Sequence, residues 1–341
     1  MSSWNKGAGD LALVTGIGYA GPDSSYNNAQ LMLDSHFSGS DLWDTAVTST
    51  EAPLEIGWIT RVLQQAAVAK YDGAQPLATA GIVGNIPAGP VMSNAKNICI
   101  TPDIDLLNRG LNTTNLLGTN TYKALYGTQY EIDASSISID EFDHVTVPPT
   151  FGSTTALGKQ FYYLSQLISG FAKTNDGQAI SGLGIPVYVM NVSSYDFHIN
   201  QVARQTGMLA DLATSLSAFR QEMIQNKLWD DILVSTYAEF GRTINQNSAQ
   251  GTDHGQSSTH FVMGGNVKGG VYGTQRPLAN SMRIGASTIL PYTLDFRYLY
   301  ATFIQDWLGL SSSVTNTVLG NDPVTNGYFS SLGPFQKLLR R

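Results

Sequence analysis

A single cysteine, Cys99, stands among the 341 residues of the chain. One thiol excludes an intrachain disulfide. Set in the apolar run Asn97-Ile98-Cys99-Ile100, it reads as a small core residue on a strand. Charge is scarce as well. Only 13% of residues are Asp, Glu, Lys or Arg, against about 25% in an average soluble domain. Gly, Ser, Thr and Asn fill the gap, a composition common in exported and self-assembling proteins. The net charge is −7 and there is no basic run beyond the terminal Arg340-Arg341, which reads as a solvated tail. Nucleic acid is therefore not an expected partner. Long apolar runs are missing too: none approaches the roughly 20 residues that span a bilayer. The opening Met1-Ser-Ser-Trp-Asn-Lys is polar and no segment of signal type follows it. Such a start fits a protein that stays inside the cell, or a mature or truncated form.

What is present is a sizeable hydrophobic content, 42%, enough for one large or two ordinary domains. Leu11-Ala12-Leu13-Val14-Thr15 reads as a strand stopped by a Gly/Pro loop over 16–22. A helix is expected over 27–33, and an amphipathic one from Gly57-Trp58 to about Tyr71. Residues 76–100 read as strands between Gly/Pro loops. Region 101–156 is insertion-like, with helices expected at 103–110 and 119–128 before a Ser/Asp-rich connection. Leu157, Phe161, Leu164, Leu167, Ile168 and Phe171 predict a helix over 154–173. Pro186–Val192 predicts a buried strand. Val202, Leu209, Leu212, Leu216, Phe219 and Met223 predict an apolar helix face over 201–227. Strands follow at 231–237 and 259–263, then a helix at 294–308. Strand–helix–strand alternation over 186–263 predicts an α/β sheet with parallel pairing.

The chemistry concentrates between residues 196 and 254. Asp196-Phe197-His198, Glu239-Phe240-Gly241-Arg242-Thr243 and Asp253-His254 bring together carboxylates and two of the five histidines. The first two clusters follow strand-like runs, and loops at the carboxyl ends of strands are where α/β sheets build sites. Carboxylate and imidazole are ligand types for zinc and similar ions. The Asp-x-His spacing sends Asp196 and His198 to one side of an extended segment. Each residue also has a plainer reading: Asp196 and His198 as polar surface, Glu239 paired with Arg242, Asp253 in a turn after Gly251. Ser35 has two readings as well. It precedes a probable helix, where free N–H groups favour an anion and a nucleophile attacking phosphate or sulfate would benefit; it is equally a good N-cap. Gly264-Gly265 and Gly269-Gly270 lack both the Walker ending and the dinucleotide spacing.

The order of these motifs is informative. Leu11–Tyr19, Ser35-His36-Phe37, Gly57-Trp58 with Arg61, Asp196-Phe197-His198 with Gln201, Glu239–Thr243, Asp253-His254 and Lys268-Gly269-Gly270 follow one another along the chain. This string resembles a sulfatase-like bacterial family of unknown function in the alkaline phosphatase superfamily, whose signatures are S-H-F, G-W-x-x-R, D-T-H-x-x-Q, S-E-F-G-R-T and D-H. The resemblance covers nearly the whole chain, weakly over 70–160. It implies a single α/β sandwich over 1–341 with a mostly parallel central sheet flanked by helices. It also implies a metal-dependent hydrolase of sulfate or phosphate esters, small or polysaccharide, in a periplasmic or extracellular setting. Carried over by position, Ser35 would be the nucleophile with His36 beside it, and Arg242 would bind the anion or brace the loop. Asp196, His198 and His254 would hold one metal, with Asp253 a further ligand. Glu239 would be the carboxylate of a second metal. The ion would be zinc, calcium, magnesium or manganese, with one site occupied or none; two ions can clamp the attacking and leaving oxygens.

The chain departs from the family at Ala238, where Ser is usual, and at Thr252, where Arg is usual. Members also begin with a strand ending in Gly-Gly-x-Asp, tens of residues before the part matching Leu11–Tyr19; that Asp is the first metal carboxylate. Asp10 precedes its strand and is a poor substitute. The chain then reads as a fragment, a processed form or a member that has lost a ligand. Its alternative is a non-catalytic, self-assembling protein on a hydrolase fold, associating through a sheet edge left unpaired. Carbohydrate binding, on sixteen tyrosines and five tryptophans, is a third option.

Overall fold

The structure is a computed structural model that describes residues 9–19, 35–46, 56–70, 80–83, 90, 98–100, 147–152, 155–173, 187–190, 192, 195–278, 289–321, 327 and 329–330. The helices expected at 27–33, 103–110 and 119–128, the Ser/Asp-rich connection and the terminal arginine pair lie outside them. The chain divides into two compact units: Met1–Leu54, Asp196–Ala203 and Trp229–Arg341 form one, Glu55–Tyr195 and Arg204–Leu228 the other.

The first unit is built on strand β1 (Leu11–Gly18), whose alternating Ala12 and Val14 are fully buried. β1 runs antiparallel to β8 (Ser258–Met263) on one flank. On the other it pairs in parallel first with β9 (Gly270–Gly273) through residues 12–15, then with β10 (Leu294–Asp295) through Ile17 and Gly18. The hand-over falls at Gly16, where the register with β8 also shifts by a bulge. Gly16 has φ +75°, and a Cβ there would lie 2.2 Å from Thr293 Oγ1 and 2.4 Å from the Thr274 carbonyl oxygen. Only glycine meets both demands. β1 is therefore interior to this sheet and not its edge.

Beyond β8 lies the short β5 (Val234–Ser235), antiparallel to it. The parallel pairing expected across 186–263 is thus corrected for this step. Parallel neighbours need a long crossover, usually helical. The link from β5 to β8 instead contains the small antiparallel hairpin β6 (Gly241–Arg242) and β7 (His254–Gly255). The sheet as a whole is mixed, and the chain is of mixed α/β class.

Helix α1 (His36–Thr45) begins at Ser35, which accepts the Ser38 N–H at 3.2 Å, and stops at Ala46 in the left-handed region. Its Trp43, 1% exposed, centres an aromatic core. The ring stacks on Phe296 at 4.4 Å and meets His260 at 5.0 Å. Tyr300 closes it edge-on and donates its hydroxyl to the Trp43 carbonyl at 3.0 Å. Phe296 and Tyr300 belong to α2 of this unit (Phe296–Thr302), which continues as a wider π turn to Trp307. Asp295 caps it at the Arg297 N–H and takes the same residue's guanidinium at 2.9 and 2.8 Å, a pair almost wholly buried. A last helix, α3 (Ser312–Leu319), is capped by Ser311.

The second unit carries a parallel three-stranded sheet, with β2 (Ala80–Val83) between β3 (Ile98–Ile100) and β4 (Val187–Met190); Cys99 lies in β3, as expected. Helices over Trp58–Lys70 and Ala156–Lys173 match the amphipathic patterns. The long helix Gln201–Gln225 buries Leu212, Leu216, Phe219 and Met223, and Phe219 packs on Phe161 at 5.6 Å. Its apolar pattern starts earlier than its buried face: Val202 and Leu209, both expected on that face, are 74% and 41% exposed. Periodicity marks which side of a helix is apolar, and single exposed apolar residues are ordinary.

Candidate metal centre

The cluster residues all belong to the first unit. Phe197 is buried, which turns its neighbours Asp196 and His198 to the opposite side as the period-two spacing requires. This segment is stitched to the loop before β7. Thr252 N–H donates to the Phe197 carbonyl at 3.1 Å, Asn200 N–H to Ala249 at 3.0 Å and Gln201 N–H to Gln250 at 2.9 Å. Asn247 secures the loop: its Oδ1 accepts the N–H groups of Ala249 and Gly251, and its amide donates to the His198 carbonyl, all at 3.0 Å. Gly251 permits the approach, since a Cβ there would lie 2.1 Å from the His198 carbonyl carbon. His36 arrives on the first turn of α1, which docks tightly; a Cβ on Gly39 would fall 2.9 Å from the Glu239 Cβ.

Asp196 is the hub. Its Oδ2 lies 3.1 Å from His36 Nε2. Its Oδ1 lies 3.0 Å from His198 Nε2 and 3.3 Å from His254 Nε2, and those two nitrogens are 3.1 Å apart. His36, Asp196 and His254 each offer a ligand atom, all within 4.8 Å of one another, a grouping able to hold a metal ion. Behind the rings stand two further carboxylates. Glu239 Oε1 meets His36 Nδ1 at 2.6 Å and Asp253 Oδ1 meets His198 Nδ1 at 3.1 Å. His254 stacks on Phe240 at 3.9 Å. Arg242 donates from Nη1 to Asp196, from Nη2 to the Thr252 carbonyl, and from Nε to Thr252 Oγ1 at 3.1 Å. Thr252 passes its own proton to Gln201 Oε1 at 2.7 Å.

Charge is favoured here. Partial burial works against a protonated His36, but the hydrogen bond and charge of Glu239, with those of Asp196, hold its pKa above the usual value. Burial would raise Asp196; the Arg242 guanidinium, then His198 and His254, hold it below the usual carboxylate range. Asp253 is held low by hydrogen bonds from Asn247 and His198. Deeper in the same unit, burial pushes Asp44 up to about 7 against a hydrogen bond from Tyr237, with the charges of Asp41 and Glu239 adding to the rise.

The structure thus brings together His36, Asp196, His198, Glu239, Arg242, Asp253 and His254. Ser35 is the N-cap of α1, with its Oγ held by the Ser38 N–H. Asn247 and Gly251 brace the cluster, and neither stands out in the sequence as a site residue. The Asn-x-Asn-x-x-x-Gly string over 245–251, dense in turn formers, is the signal that could have found them.

A family model for a bacterial domain of unknown function, DUF1501, matches residues 180–319. The DUF1501 stretch contains every cluster residue except His36. No curated protein and no solved structure matches the chain.

Proposed function

We propose that the protein is a metal-dependent hydrolase of sulfate or phosphate esters on an alkaline-phosphatase-like scaffold. The observation that carries the reading is the convergence of His36, Asp196 and His254, with His198 beside them. The donor set fits a metal. Two Nε2 atoms and one carboxylate oxygen stand 3.0–3.3 Å apart, about the separation of neighbouring ligands around an ion with bonds of roughly 2.0–2.2 Å. Two imidazole nitrogens facing each other across 3.1 Å gain from a shared cation. Imidazole-rich sites suit zinc better than calcium, magnesium or manganese. Such an ion supplies Lewis-acid charge against the ester oxygens.

The chain's own groups do the rest. Arg242 clamps Asp196 and puts fixed positive charge beside an anionic substrate. Its contacts to Asp196 and Thr252 use three of the five N–H donors of the guanidinium. Glu239 accepts the Nδ1 proton of His36, which leaves Nε2 turned toward Asp196. Ser35 is the nucleophile candidate: the Ser38 N–H occupies one lone pair of Oγ and fixes the side chain.

The test is elemental analysis of the purified chain, followed by assays on aryl sulfates and aryl phosphates with zinc or manganese supplied. We expect stoichiometric metal, lost in His254→Ala, and ester hydrolysis that requires it. Absence of stoichiometric metal together with absence of activity would sink the reading. Metal uptake without hydrolysis would favour a non-catalytic role for the same centre.

A further inference from the structure

An imidazole that binds a metal does so through one nitrogen. The other carries a proton and needs an acceptor, most often a carboxylate, which fixes the tautomer and the ring plane. Two rings of this cluster have that arrangement. His36 and His198 turn Nε2 toward Asp196, at 3.1 and 3.0 Å, and each has a carboxylate on Nδ1: Glu239 at 2.6 Å and Asp253 at 3.1 Å. The Cβ and backbone carbonyl of Glu239 lie close against Gly39 of α1, and the Asp253 carboxylate is itself held from the far side. Asp253 takes the Asn247 amide at 3.0 Å on the same Oδ1 that faces His198, and its N–H donates to Thr243 Oγ1 at 3.0 Å.

We infer that Glu239 and Asp253 are positioning residues, which orient His36 and His198 through Nδ1, and that neither is a ligand of the ion. This rests on the metal reading above and differs from the ligand roles that family resemblance gives these two residues. It assigns three imidazoles and one carboxylate to the ion. It also makes Asn247 a support one step further out, since its amide holds Asp253 and its carbonyl oxygen holds the loop.

The experiment titrates the full-length chain with cobalt(II) and zinc, following the cobalt d–d bands and competition with a chelating dye. The proteins are wild type, Glu239→Gln, Asp253→Asn and, as the reference for a lost ligand, His254→Ala. Gln and Asn retain an oxygen that accepts the Nδ1 proton, so both variants should fold, as circular dichroism will show. We expect each to bind with unchanged stoichiometry and unchanged band positions, at an affinity lowered about 10–100-fold. Asn247→Ala should weaken binding in the same direction as Asp253→Asn and by less. Stoichiometric uptake lost in Glu239→Gln or Asp253→Asn, as it is in His254→Ala, or cobalt bands shifted from those of wild type, would make that carboxylate a ligand and overturn the inference. Affinity equal to wild type in both variants would overturn it too, while leaving the metal reading intact. A wild-type chain that takes up no ion defeats the metal reading first, and this inference with it.

Discussion

Aspartate and histidine side chains occur in two regions of the first unit, and their surroundings push them in opposite directions. In the loop cluster around Asp196, the carboxylate is held below its usual pKa and His36 above its own, each by a charged neighbour. In the core around Trp43, burial lowers His260 to about 4 and raises Asp44 to about 7. The first region favours the charged forms of Asp196 and His36 and leaves them partly exposed; the second disfavours charge on Asp44 and His260 and buries both. His260 then behaves as a core residue, its ring packed on Trp43 and hydrogen-bonded to Ser258 Oγ at 2.7 Å. Residue type alone does not make a site. Convergence on a shared point, with charge left uncompensated by burial, does.

The contrast can be broken most forcefully at its apolar end. Trp43→Ala removes the centre of the aromatic core and should cost about 3–5 kcal/mol in urea unfolding. His254→Ala, on the cluster side, should shift the midpoint far less when both proteins are melted in the presence of a chelator. Comparable losses from the two would erase the distinction.

The next effect is on pH dependence. His260 has an ordinary value of 6.5 and a folded value of about 4. As pH falls below 6.5 the unfolded chain takes up a proton that the folded one refuses, so stability drops until about pH 4, by about 3 kcal/mol in all. Asp44 acts with the reverse sign, from an ordinary 3.8 to about 7 when folded. As pH rises above 3.8 the unfolded chain releases its proton first, and stability falls until about pH 7, by about 4 kcal/mol. Between about pH 4 and 6.5 the two slopes oppose each other. Asp44→Asn should uncover a stability that climbs with pH across that interval, and His260→Gln one that declines. Denaturant melts of both variants with the same slope as wild type would show that neither group is neutralised by the fold.

The smallest effect separates the two roles open to Ser35. Ser35→Ala removes an N-cap and should lower stability by about 1 kcal/mol, measured in the same melts. If Ser35 is also the nucleophile, ester hydrolysis disappears while metal affinity holds. A loss of stability with hydrolysis intact would leave Ser35 a cap alone.

Much of the architecture was legible where local pattern and burial agree. Leu11–Thr15, Trp58–Lys70, Ala156–Lys173 and Thr259–Met263 were legible because period and apolarity coincide over several residues. The stop expected at Gly16 was wrong, since the strand bulges there and runs on to Gly18. The direction of β5 against β8 was not legible, since alternation of elements says nothing about a pairing made across the long connection that holds the β6–β7 hairpin. The π turn at Phe303–Trp307 has no sequence mark beyond a helical one. In the cluster, the acidic-histidine strings announced Asp196, His198, Glu239, Asp253 and His254. His36 entered only as the neighbour of Ser35, although its ring reaches Asp196 at 3.1 Å. Which carboxylate faces which nitrogen is set by backbone contacts at Gly39 and Gly251, and those depend on tertiary packing that no short motif encodes.

Gly251 sets a tolerance. The cluster's two halves, Asp196–His198 and Asp253–His254, lie on two backbones that approach so closely at this residue that a Cβ would stand 2.1 Å from the His198 carbonyl carbon. Ordinary carbon contacts need about 3.5–4.0 Å, so any side chain here would push the halves apart by an appreciable fraction of the 3.1 Å between the His198 and His254 nitrogens. Displacements of about 1 Å are enough to cost 10²-fold in a reaction that relies on position. The working dimension of the centre is thus defined by an atom that is absent, and this loop has no room to drift in composition at that place.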